Sequence, residues 1–292
     1  MNKVNTIIIG AGRSGTTSVF AWMEHHPDIQ FSITKEVHYF SLIDLYQRGE
    51  KYFHSLFEGE SKKIIATADT YLLMDHDAPA RIKAYNPDMH IIVMLRDPID
   101  RAYSNYQYSV QFGHERSDIS FADTITLEQE RLLSNDIAAK NNLCHCYGSL
   151  YARHLSVWTL SFPKEQIFIG TLDQLKSDAD ALYKRLSTYL GIQYHAFSQQ
   201  GEAFNTSTGV KSKWLQQLLL NREHPLRKTL TFFIRPFRNL IIKSGIIDKI
   251  YKLNKTQVEL PKLTIEERQI VTPYFEQDLK QLEADWHVTF QR

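Results

Sequence analysis

Ile7-Ile8-Ile9-Gly10-Ala11-Gly12-Arg13-Ser14-Gly15-Thr16-Thr17 stands near the start of the 292-residue chain, and its reading decides the fold. An unbroken run of isoleucine is the pattern of a parallel strand buried on both faces. The glycines after it let backbone N–H groups turn inward, and the helical pattern that begins at Thr16 aims its positive dipole end at the same point. Such a turn is a cradle for a phosphate-like anion. A nucleotide-binding loop of the commonest type carries lysine directly after its last glycine, and here that position is Thr16. The expected ligand is therefore rich in phosphate but held differently from the nucleotide of an ordinary ATPase or kinase.

Working outward, hydrophobic runs and breakers predict strands at Val4–Ile9, Lys63–Ala68, His90–Leu95 and Gln166–Gly170, with a shorter extended piece at Asp28–Ile33. Helices are predicted at Thr16–His26, Pro79–Tyr85, Pro98–Phe112, Ser120–Asn135, Tyr147–Leu160, Asp173–Leu190 and Thr264–Asp285. Strands alternating with helices imply an α/β fold, a parallel sheet covered on both faces, with ligands gathered at the carboxyl ends of its strands.

The balance of 34 basic and 33 acidic residues leaves a net charge of +1, which gives no bulk electrostatic reason to expect nucleic-acid binding. Cys144 and Cys146 flank His145 too closely for an easy disulfide, and no zinc set is completed around them, so buried free thiols are expected. A first strand starting near the initial Met, with no apolar run of membrane-spanning length, leads us to expect a cytoplasmic protein.

The second group with chemical promise follows the strand His90–Leu95. Arg96-Asp97-Pro98 lies at the carboxyl edge that also bears the glycine loop, and Ser104 lies about two turns along the next helix. Arg96 and Ser104 could share a second phosphate, although an arginine here could equally pair with Asp97 or cap a helix. Two anion sites at the ends of parallel strands suggest a nucleotide phosphorylated at both ends of the nucleoside.

Gly10 to Ser18, Lys35-Glu36-Val37-His38-Tyr39-Phe40, and Leu95-Arg96-Asp97-Pro98 with Arg101, Tyr103 and Ser104 resemble the motifs of sulfotransferases that use 3′-phosphoadenosine-5′-phosphosulfate. The resemblance is to the heparan-sulfate-type and bacterial carbohydrate branch, and it is specific over residues 4–40 and 90–108. It implies a P-loop NTPase-like three-layer fold: one domain over residues 1–292, with 210–260 as a basic helical lid or acceptor-side region. By the same resemblance Gly12, Arg13, Ser14, Gly15, Thr16, Thr17 and Ser18 would bind the 5′-phosphosulfate, and Arg96 with Ser104 the 3′-phosphate. Lys211 and Lys213 would close over that phosphate, a solvated helix start being as good an account of them.

Sulfuryl transfer moves a trigonal SO₃ group in line from donor to acceptor, so positioning and charge stabilisation carry the reaction and no metal is required. The resemblance implies Glu36 as general base, and Arg13 is the cation expected at the leaving phosphate. Lys35 and His38 could tune or replace Glu36; in an extended segment Glu36 and His38 would share one face and Lys35 the other. His38 is the competing base, since small-molecule sulfotransferases use histidine.

Two departures mark this chain. Arg13 stands where heparan-type enzymes carry lysine, so its task is electrostatic rather than acidic. Ala66-Thr67-Ala68-Asp69-Thr70-Tyr71 replaces their Gly-Glu-Lys-Ser-Pro-like segment, so the acceptor side is expected to differ. The expected acceptor is a hydroxyl, in second place an amine, of a glycan or glycolipid. The alternatives are a small-molecule acceptor with His38 as base, a nucleotide kinase with a degenerate loop, or a non-catalytic nucleotide-binding module. Lys211–Lys255 holds eleven basic residues against Glu223 and Asp248. Interleaved with Leu, Ile and Phe over 214–251, it reads as a lid, a set of packing helices, or a peripheral contact with the inner face of a membrane.

Overall fold

The computed structural model describes residues 3–197, 208–210, 255–257 and 261–290. Its sheet consists of β1 (Thr6–Gly10), β2 (Ile29–Phe31), β3 (Ile64–Ala68), β4 (His90–Leu95) and β5 (Ile167–Thr171), all parallel, in the order β2-β3-β1-β4-β5. The helices are α1 (Thr16–Glu24), α2 (Ile43–Tyr46), α3 (Gly49–His54), α4 (Ala78–Tyr85), α5 (Pro98–Phe112), α6 (Phe121–Arg131), α7 (Ile137–Leu143), α8 (Tyr151–Thr159), α9 (Leu172–Ser177), α10 (Ala179–Leu190) and α11 (Ile265–Trp286). A short antiparallel pair joins β6 (Thr208–Val210) to β7 (Lys255–Gln257).

Side chains along each central strand divide between two cores, as the period of two requires. Ile7 and Ile9 of β1, with Ile91, Val93 and Leu95 of β4, meet Ile82 of α4 and Leu155 and Trp158 of α8. Ile8, Ile92 and Met94 face the other way, onto Val19 and Trp22 of α1 and Leu182 and Leu186 of α10. Helices on both faces of a parallel sheet make the three-layer α/β fold that the alternation predicted. A third cluster joins Ile99 and Ala102 of α5, Phe121 at the start of α6, and Val271 and Phe275 of α11.

The strand order positions the site. From β1 the chain crosses to β2 and β3 on one side and then to β4 on the other. The loops that leave β1 and β4 therefore diverge from neighbouring strands, and the crevice between them opens at their carboxyl ends.

Several boundaries differ from the sequence reading. Asp173–Leu190 is two helices rather than one: Asp178 leaves helical geometry and its carboxylate caps α10 by accepting from Ala181 N (2.9 Å). Ser120–Asn135 is α6, ending at Arg131, followed by a separate α7 that Asp136 caps through Ala138 N and Ala139 N. Tyr147–Leu160 begins as a 3-10 turn, Tyr147–Ser149, before α8. Helices α2 and α3 were not expected; they are too short for a 3.6-residue repeat to show. Cys144 and Cys146 are buried free thiols, as their spacing suggested.

Candidate active site

Helix α1 begins on Gly15, which has φ 88° and no side chain with which to cap the helix. Ser18 N donates to the Gly15 carbonyl (3.0 Å), and with no side-chain cap the helix start has the form that suits an anion. The backbone favours glycine there, and a Cβ on Gly15 would press on the ends of Leu175 (2.9 Å to Cδ2) and Leu172 (3.1 Å to Cδ1). Ser14 and Thr16 are buried, whereas Gly12, Arg13, Thr17 and Ser18 remain partly exposed. The loop thus offers amides, the Thr17 and Ser18 hydroxyls and one guanidinium.

Helix α5 carries a stripe along this loop. Residues 101, 104 and 108 succeed one another at three- and four-residue spacing and share a face. Arg101 Nε donates to the Gly12 carbonyl (3.0 Å), Ser104 Oγ accepts from Arg13 Nε (3.2 Å), and the Tyr108 ring lies 5.1 Å from the Arg13 guanidinium carbon. The two anion motifs, separate in sequence, are therefore joined through Arg13 and Ser104. Arg96, at the end of β4, turns its Nη1 toward the Arg13 carbonyl (3.5 Å), and its own carbonyl accepts from the Tyr151 hydroxyl (3.0 Å). Asp97 is occupied otherwise, capping α5 by accepting from Asp100 N (2.9 Å), with Arg268 Nη1 at 3.5 Å. The pairing of Arg96 with Asp97 that the sequence allowed is not formed.

The 35–38 segment is not extended. Glu36 (φ 61°) and His38 (φ 54°) both lie in the left-handed region, so strand alternation does not set their directions. The kinks bring both side chains onto the tip of β3. Glu36 Oε2 accepts from Thr70 N (2.7 Å) and Thr70 Oγ1 (3.1 Å), and Oε1 accepts from Lys35 Nζ. Burial opposes ionisation of this carboxyl, but the charge and hydrogen bond of Lys35, the Thr70 amide and the nearby His38 outweigh it. The result is a pKa below the ordinary 4.5, so Glu36 is a carboxylate at neutral pH.

His38 Nδ1 is held by Asp69 Oδ1 (3.0 Å) beside the Tyr71 ring, whose centroid is 4.5 Å away. Asp69 is fully buried and also accepts from Ser41 Oγ (2.6 Å) and Tyr71 N (3.1 Å). Asp69 and Thr70 were not singled out from the sequence as site residues. Their signal was position: a carboxylate and a hydroxyl directly after an all-buried strand, at the sheet edge where ligands collect.

Two side-chain sets have metal-ligand spacing. The ligand atoms of Glu36, His38 and Asp69 lie within 4.8 Å of one another, as do those of His26, Asp28 and His195. In the first set the carboxylates already accept from Lys35, Thr70, Ser41 and Tyr71. In the second both ring nitrogens of His26 are engaged, with Asp28 N (3.1 Å) and Gln193 O (2.9 Å). Neither set is laid out as a vacant coordination shell.

Behind α5 lies a buried polar network. Glu115 accepts from Arg131 Nη1 (2.6 Å), Arg131 Nη2 (3.0 Å) and Arg116 N (3.0 Å), with His145 Nε2 at 3.6 Å. Burial raises its pKa, but these partners prevail and hold it at about 2 against an ordinary 4.5. A depressed carboxylate contributes stability that is complete above about 4.5 and is lost as pH falls toward 2. Urea unfolding at pH 5 and pH 3 should show wild type losing stability over that interval and Glu115→Gln losing distinctly less. Equal losses would remove Glu115 from the acid response.

Lys211, Lys213 and the 214–251 stretch lie outside the described residues. Among the described residues, no helix is long and apolar enough to cross a membrane.

Known proteins resemble this chain in sequence and in fold. The mouse heparan sulfate glucosamine 3-O-sulfotransferase 3B1 is 29% identical over 247 residues, spanning 79% of this chain and 60% of its own length. The human bifunctional heparan sulfate N-deacetylase/N-sulfotransferase 3 is 26% identical over 221 residues, which cover 73% of this chain and 24% of that protein. The crystal structure of a sulfotransferase from Alicyclobacillus acidocaldarius, 20% identical, superposes with a TM-score of 0.69 over 99% of this chain and 98% of that one, and so shares its fold. The chain spans three fifths or less of the length of the curated relatives named here. A family model for the sulfotransferase domain matches residues 3–219, most of the chain and all of the loop, the 35–38 segment and the Arg96–Ser104 stretch, and by that match the chain belongs to the sulfotransferase domain family.

Proposed function

We propose that this chain transfers the sulfuryl group of 3′-phosphoadenosine-5′-phosphosulfate to a hydroxyl of a glycan or glycolipid, leaving adenosine 3′,5′-bisphosphate. The observation that carries the reading is the contact of Arg13 with Ser104. It joins an uncapped helix start after β1 to a hydroxyl-bearing helix after β4, and so sets two anion-binding groups side by side. The heparan sulfate specificity in the relatives' names supports a carbohydrate acceptor. A cytoplasmic setting, and a peripheral membrane contact through 214–251, belong to the same proposal.

The donor supplies an activated sulfuryl group on a phosphate leaving group. The residues fit it: the first-turn amides of α1 with Thr17 and Ser18 suit the 5′ end, Arg96 and Ser104 the 3′-phosphate. Arg13 holds a charge that does not titrate beside the loop, where negative charge grows on the leaving oxygen. Glu36 accepts the acceptor's proton. Its Oε2 is fixed by two donors of Thr70 and its Oε1 by Lys35, and Oε1 keeps capacity for a further hydrogen bond. An oriented, ionised carboxylate is what a general base needs.

A second reading has His38 as the base, and the Asp69 contact favours it. A carboxylate on Nδ1 selects the tautomer whose lone pair is on Nε2. Calorimetric titration decides the class of the protein. Adenosine 3′,5′-bisphosphate should bind, and tight binding of ATP–Mg²⁺ with no response to the bisphosphate would make the protein a nucleotide kinase or another ATP-binding module.

A further inference from the structure

Arg101 lies on the buried face of α5. It is 3% exposed, and its guanidinium also donates through Nη1 to the His145 carbonyl (3.2 Å) and the Ser149 hydroxyl (3.4 Å). Among the described residues no carboxylate pairs with it directly. The slot is shaped for it: a Cβ on Gly148 would lie 2.7 Å from Arg101 Nη1 and 2.8 Å from Met74 Sδ.

The chain that lines the slot is itself clamped. Glu128 accepts from Cys146 N (2.7 Å) and Tyr147 N (2.8 Å), so the peptide between His145 and Cys146 gives its carbonyl to Arg101 and its N–H to Glu128. Burial pushes Glu128 up to about 7 against the pull of those amides. A fully buried guanidinium held by carbonyls and a hydroxyl is expensive to desolvate, and ordinary helix packing at this position would be served by an apolar side chain. What the arginine does that an apolar residue cannot is grip the Gly12 carbonyl. A carbonyl so held fixes the peptide plane that opens the loop, and with it the direction of the amides that follow.

We propose that Arg101 is a positioning residue for the 5′ half of the donor site: from the buried face of α5 it sets the conformation of the 12–17 loop, while Ser104, one turn along the same helix, serves the 3′ half without its help. This rests on the donor reading given above. The 3′ half has anchors of its own, the Asp97 cap of α5 and the packing of Ile99 and Ala102, neither of which involves the guanidinium; its link to the loop is the contact of Ser104 and Arg96 with Arg13.

The test is the affinity of the full chain for adenosine 3′,5′-bisphosphate, adenosine 5′-phosphate and adenosine 3′-phosphate, in wild type and in Arg101→Lys. Lysine keeps the charge and loses the fork, so the comparison isolates geometry. The bisphosphate and the 5′-phosphate should each bind about tenfold more weakly, and the 3′-phosphate within about twofold of wild type. Equal losses for all three ligands would mean that Arg101 is only structural, and unchanged binding of the 5′-phosphorylated pair would remove it from the site; either overturns the proposal. Should Arg101→Lys fail to fold, Gly148→Ala, which displaces the guanidinium, must give the same pattern at smaller amplitude, and its absence overturns the proposal as well. A wild-type protein that binds none of the three overturns the donor reading, and this proposal with it.

Discussion

Glu36→Gln should lower kcat by roughly 10²-fold or more while leaving the affinity for adenosine 3′,5′-bisphosphate close to that of wild type. Glutamine keeps the shape and one acceptor oxygen for the Thr70 amide, gives up the contact with Lys35, and cannot take a proton. The pH profile adds a second check. With a pKa depressed by Lys35 and the Thr70 amide, against burial, Glu36 stays ionised below the ordinary 4.5. Where wild type remains folded, the acid limb of kcat/KM assigned to this base should lie below that value, and Glu36→Gln should abolish the limb along with the rate. Unchanged turnover would transfer the role to His38 and its Asp69 partner.

Arg13→Ala should lower kcat by about 10² to 10³-fold, the usual loss when one preorganised donor to developing charge is removed. The residue already occupies φ 72°, so alanine brings no new backbone strain, and the effect reports the side chain alone. Arg13→Lys should recover part of the loss, because charge returns without the Nε–H that reaches Ser104 Oγ. Steady-state kinetics separate the roles. Equal falls in kcat and kcat/KM place the interaction in the transition state, whereas a rise in KM alone would make Arg13 a binder of donor only.

The sheet and its loop were legible in the sequence because buried parallel strands are continuous apolar runs and glycines punctuate them. Ile7–Ile9 with Gly10, Gly12 and Gly15 needs no long-range information to be read. The base was a different matter. Glu36 and His38 were expected to share a face by strand alternation, yet they converge through left-handed kinks, which sequence period cannot show. The group that orients His38 is 31 residues away, and Ser104 meets Arg13 across 91; such pairs exist only once the strand order is set. Arg101 was visible as a motif residue on a helix, but its burial depends on the turn at 145–149, of which 147–149 read as the start of a longer helix. The break at Asp178 was hidden for a similar reason: a polar residue between two helical patterns looks like a solvated face until its capping bond to Ala181 is seen.

The left-handed backbone at Glu36 and His38 sets two kinds of selection against each other. Each position costs about 1 kcal/mol that glycine would not incur. A library randomised over 35–38 and screened for thermal resistance alone should enrich glycine at both, while one screened for turnover should retain the glutamate; the ratio of the two enrichments ranks the residues by how much the chemistry depends on them. In this segment robustness and activity are competing traits written into the same two codons.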